Sequence, residues 1–137
     1  MTGYLLDTNA LIWLGTGQPV QAEAEAALNR AAGEATPVSV SPYCAWEIGI
    51  LVSRGRIRLP SDPHAWFASV LRTGNLRLTP LTPEILIASS FLPAEPPRDP
   101  ADRVMIATAR TLDLTLVTRD RAILAYAAEG HLRALPC

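Results

Sequence analysis

The chain is 137 residues long, 49% apolar and 18% charged, with a formal net charge of −1. That length and composition fit one domain with a buried core and do not fit an intrinsically disordered chain. The charge balance gives no global basic signature for nucleic acid. All 12 basic residues are arginine, and the lack of lysine excludes a Walker-type phosphate loop, Schiff-base chemistry and a phospho-aspartate receiver site.

Tyr4, Leu5 and Leu6 predict a short buried strand that ends at Asp7 and turns into a helix over Thr8–Leu14. Gly15 to Pro19 breaks that helix. Val20–Ala32 predicts an Ala-rich helix whose early Glu23 and Glu25 and late Arg30 match the helix dipole, with Gly33 as its stop. Pro37–Val40 predicts a second strand. Ser41 caps a helix with Pro42 at its first position, running to about Ser53, and Arg54, Gly55 and Arg56 end it. Ser61 or Asp62 with Pro63 opens a helix over His64–Arg72, and Leu76–Leu78 predicts a third strand. Thr82, Pro83 and Glu84 start a helix through Ser90. After a Pro-rich loop over Pro93–Arg98, Asp99 and Pro100 start a helix running to about Leu112. Thr115–Val117 predicts a fourth strand, Asp120 caps a helix over Arg121–Ala128 that Gly130 ends, and Leu132–Leu135 predicts a short final strand. This alternation predicts an α/β fold: one domain over residues 1–137, with a mostly parallel sheet of four to five short strands flanked by helices.

No apolar run approaches the roughly 18 residues that span a bilayer. The segment Met1–Asp7 has no basic region, and Asp7 interrupts its apolar stretch too early for a secretory signal. Cys44 and Cys137 stand far apart, so no disulfide framework is expected and a reducing cytosol is.

In open parallel sheets, ligands bind beyond the carboxyl ends of the strands. Asp7 and Asp120 sit at two such ends. Each also begins a helix, so each taken alone reads first as an N-cap. Asp99, Pro100 and Asp102 resemble a capping box, with Asp99 as the cap and Asp102 at N3. The cap reading is preferred for Asp99. Asp102 is harder to dismiss, because Met105 and Ile106 place it at the head of an apolar face. Glu47 is the strongest anomaly. It lies mid-helix between Tyr43, Cys44, Ile50 and Leu51, none of them basic. A buried, unpaired carboxylate costs several kcal/mol, so either a distant arginine pairs with it or a metal ion does, and the metal is favoured.

Together Asp7, Glu47, Asp102 and Asp120 fall where strand ends and helix starts are expected to converge. Two carboxylates about 4 Å apart repel by roughly 4 kcal/mol at an effective dielectric of 20. Such a cluster needs cations or raised pKa values. No His or Cys is expected near these positions, which disfavours Zn²⁺ and favours Mg²⁺ or Mn²⁺. A carboxylate-only divalent site suits phosphodiester hydrolysis by metal-activated water.

Four ordered blocks carry these acids: Leu5-Leu6-Asp7-Thr8-Asn9, Trp46-Glu47-Ile48, Asp99-Pro100-Ala101-Asp102-Arg103, and Leu116-Val117-Thr118-Arg119-Asp120. In that order they resemble the PIN domain family, and more narrowly the VapC-type toxins of bacterial toxin–antitoxin pairs. The resemblance spans nearly the whole chain. It implies a parallel sheet with helices on both faces and a metal-dependent ribonuclease acting on single-stranded or structured RNA. It also implies a cognate antitoxin as partner, and often a homodimer. The family's acidic positions map onto Asp7, Glu47, Asp102 and Asp120, with Asp99 as a possible assistant. Where the family often has Asn before its fourth acid, this chain has Arg119.

Supporting roles fall to Thr8, as a cap or a hydroxyl reaching the site, and to Asn9, which could orient Asp7. Thr118 could place a hydroxyl near the metal. Arg103 is expected to be structural, and Arg54, Arg56 and Arg58 to form a solvated loop. Trp13, Trp46, Trp66 and Phe67 are expected as core or interface anchors, and His64 and His131 as surface residues. Two other readings are open: a non-toxin RNA-processing nuclease with the same site, and a non-catalytic interaction module in which the acids serve only as caps.

Overall fold

The computed structural model describes residues 3–137. Met1 and Thr2, which open the N-terminal segment read above, lie outside the described residues. Among the described residues the elements run β1 (Tyr4–Leu6), α1 (Thr8–Gly15), α2 (Ala22–Gly33), β2 (Val38–Val40), α3 (Pro42–Ser53), α4 (Pro63–Thr73), β3 (Arg77–Leu78), α5 (Pro83–Ala88), α6 (Pro100–Leu112), β4 (Thr115–Thr118), α7 (Arg121–Ala128) and β5 (Arg133–Pro136). The five strands form one sheet in the order β3-β2-β1-β4-β5, and every neighbouring pair is parallel. The α/β expectation is met, with five strands and a sheet that is parallel throughout.

Parallel strands are covered on both faces, so their side chains are apolar in succession rather than alternating. Leu5, Leu6, Val40, Leu116 and Val117 in the three central strands are all 0–1% exposed. Each such side chain stabilises the fold by about 1.5–3 kcal/mol. Val104 to Ala109 of α6 are buried without interruption, which makes that helix part of the core and sets Asp102 at its rim.

The strand order fixes where a ligand can sit. β1 leads outward to β2 and β3, and the chain then returns to the other side of β1 with β4 and β5. The order therefore reverses between β1 and β4, and the crevice beyond their carboxyl ends is the switch point at which open α/β sheets bind ligands. Register across this pair runs Leu6 to Val117, which brings Asp7 and Thr118 side by side.

Some local expectations shift. The second helix ends at Gly33, but the left-handed residue that turns the chain is Ala35, with φ 57°. Gly15 is the last residue of α1, and a Cβ there would come 2.7 Å from the Trp66 ring, so the glycine permits close packing as well as ending the helix. The fifth helix stops at Ala88 instead of Ser90, and the third strand is reduced to Arg77 and Leu78. Trp66 is buried as expected, whereas Trp46 is 61% exposed and is no core residue. His131 is half-buried and stacks on Tyr126 with ring centroids 4.5 Å apart; only His64 is a fully exposed histidine. Among the described residues no helix is long and apolar enough to cross a membrane.

Candidate active site

Asp7 leaves β1 and caps α1: its Oδ1 accepts from the Ala10 N–H at 2.7 Å. Its Oδ2 accepts from the Thr118 hydroxyl, across the β1–β4 switch point. The Thr118 oxygen in turn accepts from the Asp120 N–H at 3.1 Å, and Asp120 caps α7 by accepting from the Ile123 N–H at 2.9 Å. One buried threonine thus ties the first acid to the last. Glu47 projects from the middle of α3 and takes a hydrogen bond of 2.5 Å from the Thr8 hydroxyl. Thr8 is therefore the residue that reaches the site, while Asp7 is the cap. Asp102 lies in the first turn of α6, half-buried. Among the described residues no hydrogen bond or ion pair to its carboxylate is found; the ion pairs are His131–Glu129 and Arg133–Asp113, away from the cluster.

The acids act on one another. Burial raises the Asp102 carboxyl to about 7, and the charges of Asp120, Asp99, Glu47 and Asp7 add to it. Burial also raises Glu47, partly offset by the Thr8 hydroxyl, with Asp99 and Asp7 adding to the rise. Asp7 is raised first by burial; the Thr118 and Ala10 hydrogen bonds pull it back, Asp120 adds to the rise and Arg119 opposes it. Asp102 feels the charges of the other three acids, Asp7 that of Asp120 and Glu47 that of Asp7. Among the described residues no three His, Cys, Asp or Glu side chains form a ready-made metal cage. Mg²⁺ usually keeps several waters and takes only one or two carboxylates directly, and carboxylates pushed towards protonation by burial and then by one another's charge are the donor set that such a cation relieves. The residues present fit a hydrated divalent ion.

Several neighbours differ from expectation. Cys44 is buried one helical turn before Glu47, and burial raises its thiol to about 11, with the Thr8 hydroxyl and the Glu47 and Asp7 charges also acting on it. The Cys137 thiol is likewise raised to about 11, first by burial and then by Asp7. Cysteines are thus near the site, against expectation, but both are held as inert thiols. The i−3 spacing from Glu47 already sets Cys44 there, whereas Cys137 is brought in by the tertiary structure. Asn9 is exposed, and the hydrogen bonds that orient Asp7 come from Ala10 and Thr118 instead. Asp99 is exposed and caps α6 through the Ala101 N–H at 2.9 Å. Arg103 donates to the Pro97 carbonyl at 2.7 Å, which pins the Pro-rich loop and leaves the carboxylates alone. Arg119 lies 3.8 Å over the Trp13 ring and donates to the Cys137 carbonyl at 2.9 Å. It latches the chain beyond β5 to α1.

Thr118→Val deletes the hydroxyl that bridges Asp7 and Asp120. The variant is expected to lose about 1–3 kcal/mol of stability, the cost of leaving a buried acceptor and donor unpaired. Denaturant unfolding at fixed pH checks this.

Fold and site together define a class: an open parallel α/β domain whose ligand end is lined by carboxylates on helix starts. The family model described as "PIN domain" matches residues 4–129, and the chain belongs to the PIN domain family. It is 29% identical over 123 residues to Ribonuclease VapC22 of Mycobacterium tuberculosis (strain ATCC 25618 / H37Rv), covering 90% of this chain and 91% of that protein. Among solved structures it resembles a chain of VapBC2 from Rickettsia felis bound to a DNA fragment from their promoter, with a TM-score of 0.70, 15% identity and 97% of each chain covered. A chain of a toxin–antitoxin complex from Klebsiella pneumoniae aligns with a TM-score of 0.58 and 22% identity, over 90% of this chain and 91% of that one. At these identities the solved structures establish the shared fold.

Proposed function

We propose that this protein is a divalent-metal-dependent endoribonuclease and the toxin of a toxin–antitoxin pair. The observation that carries the reading is the convergence of Asp7, Glu47, Asp102 and Asp120 at the switch point, with the Asp102 carboxyl raised to about 7 by burial and by the other acids. The likeness over 90% of the chain to a protein named a ribonuclease supports the reaction, and the toxin–antitoxin complexes among its structural neighbours support the partner. One PIN domain over residues 1–137, a cytoplasmic location and a homodimer belong to the same reading. Leu86, Ile87 and Phe91, which are 41%, 62% and 79% exposed, supply apolar surface for a second copy.

Asp7, Glu47, Asp102 and Asp120 would hold Mg²⁺ or Mn²⁺. When bound, the cation supplies Lewis acidity that lowers the pKa of an attacking water and offsets charge on the leaving oxygen. The chain's own part is positional. Thr118 and Ala10 fix both oxygens of Asp7, Thr8 fixes Glu47, and α7 fixes Asp120. Asp102, held by no donor among the described residues, is the acid free to give up its proton when positive charge arrives. Arg119 is engaged by Trp13 and the Cys137 carbonyl, and its charge opposes the rise of the Asp7 carboxyl.

Purified protein is expected to cleave total RNA with Mn²⁺ and to be silent in excess EDTA. Cleavage that persists in EDTA refutes the metal mechanism. No cleavage under either condition, together with no metal-dependent change in melting temperature, leaves the acids as helix caps.

A further inference from the structure

Trp46 is the large aromatic residue that the packing of α3 does not explain. It is 61% exposed, although it lies beside Glu47 at the end of the sheet where the acids meet. Its ring packs edge-on against Tyr43, with centroids 5.2 Å apart and planes at 83°. Tyr43 stands one helical turn before Glu47, on the same face. Its phenol is raised by burial and then by the charges of Glu47 and Asp99, which places that ring at the border of the carboxylate cluster. With the ring 61% exposed, a face of the indole is open to solvent, and Tyr43 links it to the helix face that carries Glu47. Further along, Arg54, Arg56 and Arg58 are all exposed, and none belongs to an ion pair among the described residues. Eight residues of helix carry the chain from Trp46 to Arg54, a rise of about 12 Å.

Single-stranded nucleic acids are held by aromatic platforms that stack bases and by basic groups that follow the phosphates. A duplex offers no free base faces to an exposed ring. We propose that Trp46, steadied by Tyr43, stacks a base next to the scissile phosphodiester, and that the strand continues along α3 to Arg54, Arg56 and Arg58. The occupant is single-stranded RNA, which enters as an unpaired segment. This rests on the ribonuclease reading above and deepens it by assigning the substrate path. Trp46 is here a positioning and specificity residue and takes no part in bond cleavage.

The test is steady-state kinetics on a single-stranded RNA oligonucleotide that the wild type cleaves with Mn²⁺. Trp46→Ala is expected to weaken kcat/KM by about 5- to 150-fold, the range for loss of one stacked base, with the change in KM and kcat retained. Trp46→Phe restores most of it. An abasic nucleotide moved along the substrate should reproduce the loss at one position for the wild type and have no effect there on Trp46→Ala. The triple variant Arg54→Gln/Arg56→Gln/Arg58→Gln should flatten the dependence of log(1/KM) on log salt by about 2, at roughly 0.7 for each lost phosphate contact with a single strand. An unchanged KM in Trp46→Ala overturns the proposal and leaves the ribonuclease reading standing. A sedimentation mass that falls to the monomer in Trp46→Ala also overturns it, because the ring is then buried between copies. A wild type that cleaves no RNA overturns both.

Discussion

Asp7→Asn is expected to abolish RNA cleavage, on the order of 10³-fold or more, the scale of removing a single charged group from a preorganised site, while the fold survives. The variant keeps the shape of the side chain and the cap, because Asn is as good as Asp at N-cap. Its Oδ1 can still accept from the Ala10 N–H. The Thr118 hydroxyl, which already accepts from the Asp120 N–H, has a second lone pair with which to accept from the new amide. What disappears is one negative charge at the switch point and its hold on a cation. Removing that charge also lowers the repulsion on Glu47 and Asp102, to both of which Asp7 contributes. The metal-free variant should therefore melt at a higher temperature than the wild type at pH 8. Circular dichroism checks the fold, an RNA gel the activity, and induced expression without an antitoxin the growth arrest that the wild type alone should cause. Cleavage at wild-type rate would remove Asp7 from the mechanism.

The second large effect is a coupling of pH, metal and stability. Asp102 has its folded pKa raised from 3.8 to about 7, so the folded state binds its proton more tightly than the unfolded chain does. Stability linked to this group therefore falls as pH rises from about 4 towards 7, and the loss is complete above 7. Asp7 and Glu47 are raised as well and act in the same direction. In EDTA the protein should melt higher at pH 5.5 than at pH 8. A divalent ion reverses the loss by binding the folded, deprotonated cluster, by about 2.7 kcal/mol at a hundredfold excess over Kd. The Mg²⁺ or Mn²⁺ shift in melting temperature should therefore be large at pH 8 and shrink towards pH 5.5, where protons compete. Asp102→Asn should flatten the pH dependence in EDTA and reduce the metal shift. A melting temperature in EDTA that climbs steadily from pH 5.5 to pH 8 contradicts the raised carboxyl.

The chain of hydrogen bonds from Ala10 through Asp7, Thr118 and Asp120 to Ile123 ties two helix caps together across the switch point. Asp7 and Asp120 are both helix caps, and both follow the ends of the strands that flank the switch point. In Asp7 the cap engages Oδ1 and the Thr118 hydroxyl engages Oδ2, whereas in Asp120 the capping bond engages Oδ1 alone among the described residues. A cap also orients its carboxylate rigidly, which lowers the conformational cost of presenting it to a ligand.

The amino-acid sequence by itself determined the order of elements and the acids. Local rules carry that information: Pro42 after Ser41, Pro100 after Asp99 and Asp120 before Arg121 are helix starts set by neighbouring backbone groups. Likewise, the apolar runs Tyr4–Leu6 and Leu116–Val117 in the central strands mark a sheet buried on both faces. The mid-helix Glu47 was legible because no adjacent cation could account for it. Contacts between distant residues were left to the tertiary structure. Thr118 and Asp7 are 111 positions apart, and only the parallel register of β1 with β4 puts them in contact. Thr8 reaches Glu47 because α1 packs on α3. The exposure of Trp46 was equally hidden, because periodicity shows which face of a helix is apolar but not whether another element covers it. Cys137 came to lie by Asp7 for the same reason. A side chain's electrostatic surroundings are set by what folds against it, and in this molecule that is decided at the crevice between β1 and β4.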